Sequence, residues 1–328
     1  MTARPFLILF IAPSRIGDAV LASGLIRTLV DEVPDARFTI VASSLAAPLF
    51  AATPRLDGLI TMDKRPIGRH WLWLWRKVRA RRWGLVVDLR GSAIAGALRP
   101  TRRAVHRAGG ARVHKVVEAA RLLKLDGVPA PFLYASPQAQ ARAAALCAGA
   151  GAGPILAIAP ASNWIGKTWP AERFALVARR LLGPGGALAD GRLMVVGGPD
   201  DQSAAEPVRS AVSRSRLIDL VGAEGLDVCF AALKRARLFI GADSGLMHLA
   251  AAAGAPTLGL FGPSDEALYA PWGKWARTVR GPRGFERFLE VDPKLDQEVC
   301  HMMDLSAAAV IDAAQRLIAE TRETADHG

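Results

Sequence analysis

The chain has 328 residues, 51% of them apolar, which is enough to bury more than one core and argues against disorder and for two domains. Its three cysteines, Cys147, Cys229 and Cys300, are odd in number and far apart, so they form neither a disulfide framework nor a CxxC metal or redox pair, and a reducing compartment is expected. The net charge of +12 is concentrated: Lys64 to Lys115 hold fifteen lysines and arginines against the single acid Asp88, so an acidic partner is expected to dock in that window.

Phe6 to Ala12 is an apolar run that meets Pro13. It is far short of the roughly 20 residues of a membrane span. Without a small-residue cleavage site, it reads as a buried first strand rather than a signal peptide. A polar loop, Pro13 to Asp18, leads into one helical run in which Val20, Leu21, Leu25, Leu29 and Val33 share a broad face, ended by Pro34-Asp35. Phe38 to Val41 and Leu85 to Val87 read as further buried strands, so strands alternate with helices as in a covered parallel sheet. Between them, His70 to Arg79 reads as a helix with the apolar stripe Trp71, Leu74, Trp75 and Val78 beside Arg76, Lys77 and Arg79. Such a helix either packs on the sheet with a solvated basic edge or settles on an anionic membrane surface.

Ala135 to Pro154 is rich in Ala, Gly and Pro and carries the domain boundary, giving domains at 1–150 and 151–328. A second alternating series follows. Its strands are Ile155 to Ala159, Arg192 to Val196, Leu217 to Val221, Leu238 to Ala242 and Thr257 to Phe261. Helices from Ala171 to Leu182, to about Val212, from about Asp227 to Arg235 and from Gly245 to Ala253 lie between them. The expected fold is therefore α/β, two Rossmann-like domains with parallel sheets, and α/β sheets bind ligands at the carboxyl ends of their strands. The last helix, Ser306 to Thr321, can pack on either half, and the polar end from Arg322 to Gly328 is expected to fray.

Five loops are candidates for chemistry. Ser162-Asn163-Trp164-Ile165-Gly166-Lys167-Thr168 lies between a strand and a helix. It is similar to the end of a phosphate-binding P-loop, but Ala161 stands where the motif needs a glycine, so the NTPase reading fails on spacing. Lys167 still supplies a mobile cation where a diphosphate can lie, with Ser162 and Asn163 as hydrogen-bonding neighbours. In Asp243-Ser244-Gly245-Leu246-Met247-His248 a strand breaks into a helix whose first amides form an anion site; the plain alternative is that Ser244 or Asp243 only caps the helix. Gly197-Gly198 and Gly262-Pro263-Ser264-Asp265 end two more strands of that half. In the first half, Asp18 can take a proton from an acceptor hydroxyl, or equally be a helix N-cap. The six histidines are scattered and no Asp-x-Asp occurs, so a metal-bridged diphosphate is not indicated.

Taken in order, Arg15-Ile16-Gly17-Asp18, Lys167-Thr168-Trp169-Pro170, Val196-Gly197-Gly198, Asp243 to His248 and Phe261-Gly262-Pro263-Ser264 resemble glycosyltransferase family 9, the lipopolysaccharide heptosyltransferases. The resemblance implies a GT-B fold and a metal-independent, inverting transfer without a cofactor. It commonly implies an ADP-heptose donor and a lipopolysaccharide core acceptor. By position, Asp18 looks like the general base and Lys167 like the diphosphate-contacting lysine. Ser162, Asn163, Gly198, Asp243, Ser244, Gly245 and His248 look like donor contacts. The ribose-binding acid is not placed among Asp200, Asp201 and Glu206. The basic window fits an anionic glycolipid acceptor at the cytoplasmic face of the inner membrane, with Arg15 and Arg90 as acceptor contacts and no nucleic acid. A non-catalytic binder of anionic glycolipid or nucleic acid is the competing class.

Overall fold

The computed structural model describes residues 5–64, 66–107, 109 and 111–323. Contacts divide the chain into two units, Met1–Ser136 and Pro137–Gly328.

The first unit is built on a five-stranded sheet of order β3-β2-β1-β4-β5, all pairs parallel. Its strands are β1 (Phe6–Ile11), β2 (Ala36–Ala42), β3 (Leu56–Thr61), β4 (Leu85–Asp88) and β5 (Arg102–Val105). Helices α1 (Ile16–Leu21), α2 (Gly24–Glu32), α3 (Arg69–Val78), α4 (Ile94–Ala97) and α5 (Lys115–Leu122) connect them. The apolar run expected as the first strand is central and fully buried from Ile8 to Ile11, paired on both edges.

The single helix expected after it is two. Ser23 breaks the run: its buried hydroxyl donates to the Val20 carbonyl at 2.6 Å and accepts the Phe132 amide at 2.9 Å. Gly24 completes the break, because a Cβ there would lie 2.5 Å from the Ala130 carbonyl oxygen. In α3 the expected stripe packs on the core, with His70 added to its buried side. The buried side chains are His70, Leu74 and Val78; Trp71, Trp73 and Trp75 lie half-buried along the flanks, and Leu72 points out, 52% exposed.

The second unit carries a six-stranded sheet of order β11-β10-β9-β6-β7-β8, again all parallel. Its elements run α6 (Pro137–Ala148), β6 (Ile155–Ala159), α7 (Ala171–Leu182), β7 (Arg192–Val195), α8 (Gln202–Arg209), β8 (Leu217–Asp219), α9 (Leu226–Leu233), β9 (Leu238–Ala242), α10 (Gly245–Ala252) and β10 (Thr257–Phe261). They continue with α11 (Glu266–Tyr269), β11 (Ala276–Arg280), α12 (Phe285–Val291) and α13 (Ala307–Glu323). The division falls ahead of the 150/151 boundary read from composition, because α6 packs on α9 and Arg142 pairs with Glu224 at 2.6 Å. The last helix packs on α7, β10 and β11, within this unit. Of the polar end expected to fray, residues 324–328 lie outside the described residues.

Both sheets follow the doubly wound order, in which the chain starts at a central strand, runs to one edge and returns to build the other. That order creates a switch point between β1 and β4 in the first unit and between β6 and β9 in the second. The loops leaving the carboxyl ends of those strands diverge, and the crevice between them is where such sheets hold ligands.

Candidate functional site

The switch point of the second unit brings together the two motifs singled out there. Strand β6 ends at Ala159 and the loop to α7 carries Lys167 on a short 3-10 turn, Ile165–Lys167; β9 ends at Ala242 and breaks at once into α10. Lys167 Nζ lies 2.6 Å from Asp243 Oδ2, and His248 Nε2 lies 3.8 Å from Asp243 Oδ1. Asp243 and His248 are buried, while the lysine side chain keeps 28% of its surface open. The carboxylate thus fixes the ammonium group beside the start of α10, and solvent can still reach it. First-turn amides of a helix lack intrahelical partners, so cation and amides together form a place for a doubly charged anion.

Ser244 is the N-cap, in extended backbone with φ −152° and ψ 169°, and its side chain accepts the Met247 amide. The capping reading therefore holds for Ser244, whereas Asp243 is engaged by Lys167 and His248. Gly245 opens the helix.

The Lys167 loop is shaped from within. Ser162 Oγ donates to the Trp164 carbonyl at 2.8 Å and shares a 2.9 Å hydrogen bond with Thr168 Oγ1, so its hydroxyl holds the turn; Asn163 is exposed. Gly166 packs under the Trp164 ring, where a Cβ would come within 2.3 Å of ring carbon. A strap from Arg283 to Leu305 braces the same loop. The His301 amide donates to the Gly166 carbonyl at 3.3 Å, Cys300 Sγ to the Thr168 carbonyl at 3.1 Å, and Trp169 Nε1 to the Leu305 carbonyl at 3.0 Å. The strap is itself pinned: Arg283 donates to the His301 carbonyl and the Asp304 carboxylate, and the buried His301 and Asp292 side chains approach to 3.4 Å.

Two further strand ends complete this edge. The Gly198 amide donates to Asp201 Oδ2 at 2.7 Å, so Asp201 closes its own loop, while Glu206 pairs with Arg209 at 3.5 Å and Asp200 is exposed. Arg280 donates to the carbonyls of Gly262 and Ser264 and fixes the loop after β10. Gly262 admits Met302, whose sulfur would lie 2.1 Å from a Cβ there.

In the first unit, Asp18 sits in the first turn of α1, half-buried; Arg15 occupies the N-cap position, so Asp18 is not the cap. Arg15 is exposed. The switch point there is bridged by Arg90. Its Nε donates to the Ala12 carbonyl at the end of β1, at 2.7 Å, and its Nη1 to the Met62 carbonyl at 3.3 Å. Burial pulls the guanidinium pKa down, offset in part by Asp88 and Asp63. Asp88, fully buried at the end of β4, accepts the Arg90 amide and the amide and hydroxyl of Ser92, and so sets the loop that presents Arg90. Among the described residues Arg90 Nη2 is buried without a hydrogen-bond partner. Arg90, Lys64, Ser14, His70 and Trp71 line a cavity of about 660 Å³.

Sequence reasoning reached Lys167, Asp243, His248, Asp18 and Arg90 but missed Asp88, Arg280 and the whole bracing strap. Asp88 was legible, as the one acid in the basic window at the end of a strand. The strap was not, because nothing in its composition marks it. Among the described residues no group of three or more His, Cys, Asp or Glu side chains is placed to hold a metal ion, and no helix is long and apolar enough to cross a membrane.

Comparison with known proteins sharpens the reading. The family model described as "Glycosyltransferase family 9 (heptosyltransferase)" matches residues 73–290. The chain is 26% identical over 314 residues to lipooligosaccharide heptosyltransferase 2 of Haemophilus ducreyi, covering 83% of this chain and 88% of that protein. Its fold matches a family 9 glycosyl transferase from Veillonella parvula, with TM-score 0.80 and 22% identity over 98% of this chain and 99% of the other. It also matches the ADP-heptose lipopolysaccharide heptosyltransferase II of Escherichia coli, with TM-score 0.75 and 21% identity over 97% of this chain and 100% of the other.

Proposed function

Since the chain belongs to glycosyltransferase family 9 and has the GT-B fold, we propose that it moves a heptose from ADP-heptose to the inner core of a lipopolysaccharide, with inversion at the anomeric carbon. The observation that carries this reading is the Lys167–Asp243 ion pair at the start of α10, which collects a cation and helix amides at the second unit's switch point. The names of the relatives supply the sugar and the nucleotide.

In this reading the second unit binds the donor. Lys167 and the first amides of α10 receive the diphosphate and stabilise the charge that grows on it as the sugar departs, so the protein itself supplies the positive charge and no metal is required. Gly198 and Asn163 border the nucleotide, Ser162 keeps the Lys167 turn in shape, and His248 steadies Asp243 from the opposite side. The first unit binds the acceptor. Asp18 takes the proton of the acceptor hydroxyl as that oxygen bonds to the anomeric carbon and the bond to ADP breaks. Arg90 and Lys64 in the cavity, with Arg15 next in sequence to the cavity-lining Ser14, meet the carboxylates or phosphates of the core. The enzyme works at the cytoplasmic face of the inner membrane, as a peripheral protein.

The test is to incubate the purified protein with ADP-heptose, and separately with UDP-hexoses, with and without lipopolysaccharide core, and to follow release of ADP or UDP. Acceptor-dependent ADP release from ADP-heptose is expected. Release of UDP instead would replace the donor, and tight core binding without turnover of any donor would leave a binder.

A further inference from the structure

The basic window has a shape as well as a charge. Arg69, Leu72, Arg76 and Arg79 follow the spacing of one helical face, and all four are exposed, opposite the buried His70, Leu74 and Val78. Leu72 is 52% exposed amid these cations. One turn earlier Ile67 is 99% exposed, held outward in a left-handed backbone conformation, φ 54°, that a β-branched residue rarely adopts. Lys77 lies 4.5 Å from the Trp73 ring centre and Arg79 4.9 Å from that of Trp75, so half-buried aromatic flanks carry cations at their rims. Nothing in the enclosed core accounts for Ile67 and Leu72 in such a setting.

We propose that this face of α3, with Ile67 ahead of it, is the surface that docks the enzyme on an anionic phospholipid bilayer. The cations meet lipid phosphates, and Ile67 and Leu72 enter the boundary between headgroups and acyl chains. Charge complementarity alone fits any polyanion, but outward apolar side chains set between cations fit a lipid interface and gain nothing on a sugar-phosphate backbone. The same segment borders the cavity of the first unit, whose lining includes Lys64, Ile67, His70, Trp71 and Arg90. A lipid-anchored acceptor can then reach that cavity while its acyl chains stay in the bilayer; this consequence, unlike the docking itself, rests on the proposed transferase function.

Flotation of the whole chain with vesicles tests it. Wild-type protein is expected to float with vesicles of phosphatidylglycerol mixed into phosphatidylcholine and not with pure phosphatidylcholine. Arg76→Glu is expected to lower the partition at least about fivefold, the worth of one basic residue near an anionic surface. Leu72→Asp combined with Ile67→Asn is expected to lower it as much without changing the far-ultraviolet circular dichroism, since both side chains are exposed and Asn suits the left-handed position better. Leu72→Asp should also slow transfer to vesicle-embedded acceptor while leaving transfer to a delipidated, soluble core unchanged. Wild-type protein that ignores anionic vesicles, a double variant that floats like wild type, or duplex DNA that outcompetes vesicles of equal charge would each overturn the docking proposal. Absence of transfer to either acceptor, with flotation intact, would instead strike the proposed reaction.

Discussion

Lys167 is held and yet open. The buried Asp243 carboxylate, 2.6 Å away, decides where the ammonium sits, and His248 on the far side of the same carboxylate limits where Asp243 can turn. In the proposed donor site Lys167 meets the diphosphate, so Lys167→Ala is expected to lose about 1.5–3 kcal/mol, or about ten- to hundredfold in affinity for ADP, by titration calorimetry. Asp243→Asn should weaken ADP binding as well, because the lysine loses its tether. ADP affinity unchanged in both variants would detach the pair from donor binding. These residues were legible from sequence because Asp243 directly follows an apolar strand, His248 lies in the first turns of the helix after it, and Lys167 sits in the loop between another such strand and its helix. Asp292 and His301 were not, since two polar residues separated by a segment without periodicity give no sign that they meet each other, or that the His301 ring lies beside that of Trp164.

The fully buried elements were the most legible ones. Strands β9 and β10 and helix α7 fall on the residues expected, since a continuous buried run bounded by turn residues has one interpretation. The edge strands β3, β5 and β11 escaped detection, because Arg-Arg-Ala-Val and Ala-Arg-Thr-Val-Arg mix charge into short strands covered on fewer sides. The Ser23 break escaped for a different reason: it depends on the Phe132 amide, far away in the chain. At this scale the loop of Lys167 is tied to its strap by the hydrogen bonds of His301, Cys300 and Trp169. Gly166→Ala should force the Trp164 ring aside, at about 1–3 kcal/mol by analogy with overpacked cores, and should lower both the unfolding midpoint and ADP affinity. A variant with wild-type thermal stability and wild-type ADP affinity would show that the ring has room to move.

For the molecule as a whole, the two sheets share one winding order, and each places a cation at its switch point: Arg90 across β1 and β4, Lys167 across β6 and β9. The α/β class and its strand-end loops followed from alternation, and the two domains from length and a composition shift, whereas the exact division depended on α6, whose partner α9 lies far along the chain. Stability of the second unit should carry an acid signature. Burial pushes the Asp304 carboxyl up, but the Arg283 guanidinium that hydrogen-bonds it more than offsets this and holds it below its ordinary value. The stabilisation is therefore complete above the unfolded-state pKa and fades as pH falls through the lowered folded-state value. Thermal unfolding of Asp304→Asn should differ from wild type at neutral pH and converge with it in acid; a gap that widens in acid would reverse the assignment.

The most direct measurement compares Asp18→Asn with wild type for ADP-heptose binding and for transfer to the lipopolysaccharide core, in the same preparation. Wild-type donor affinity with transfer reduced about 10²- to 10⁴-fold, the range that loss of a general base produces, is the expected result. Transfer at the wild-type rate by Asp18→Asn would contradict the account.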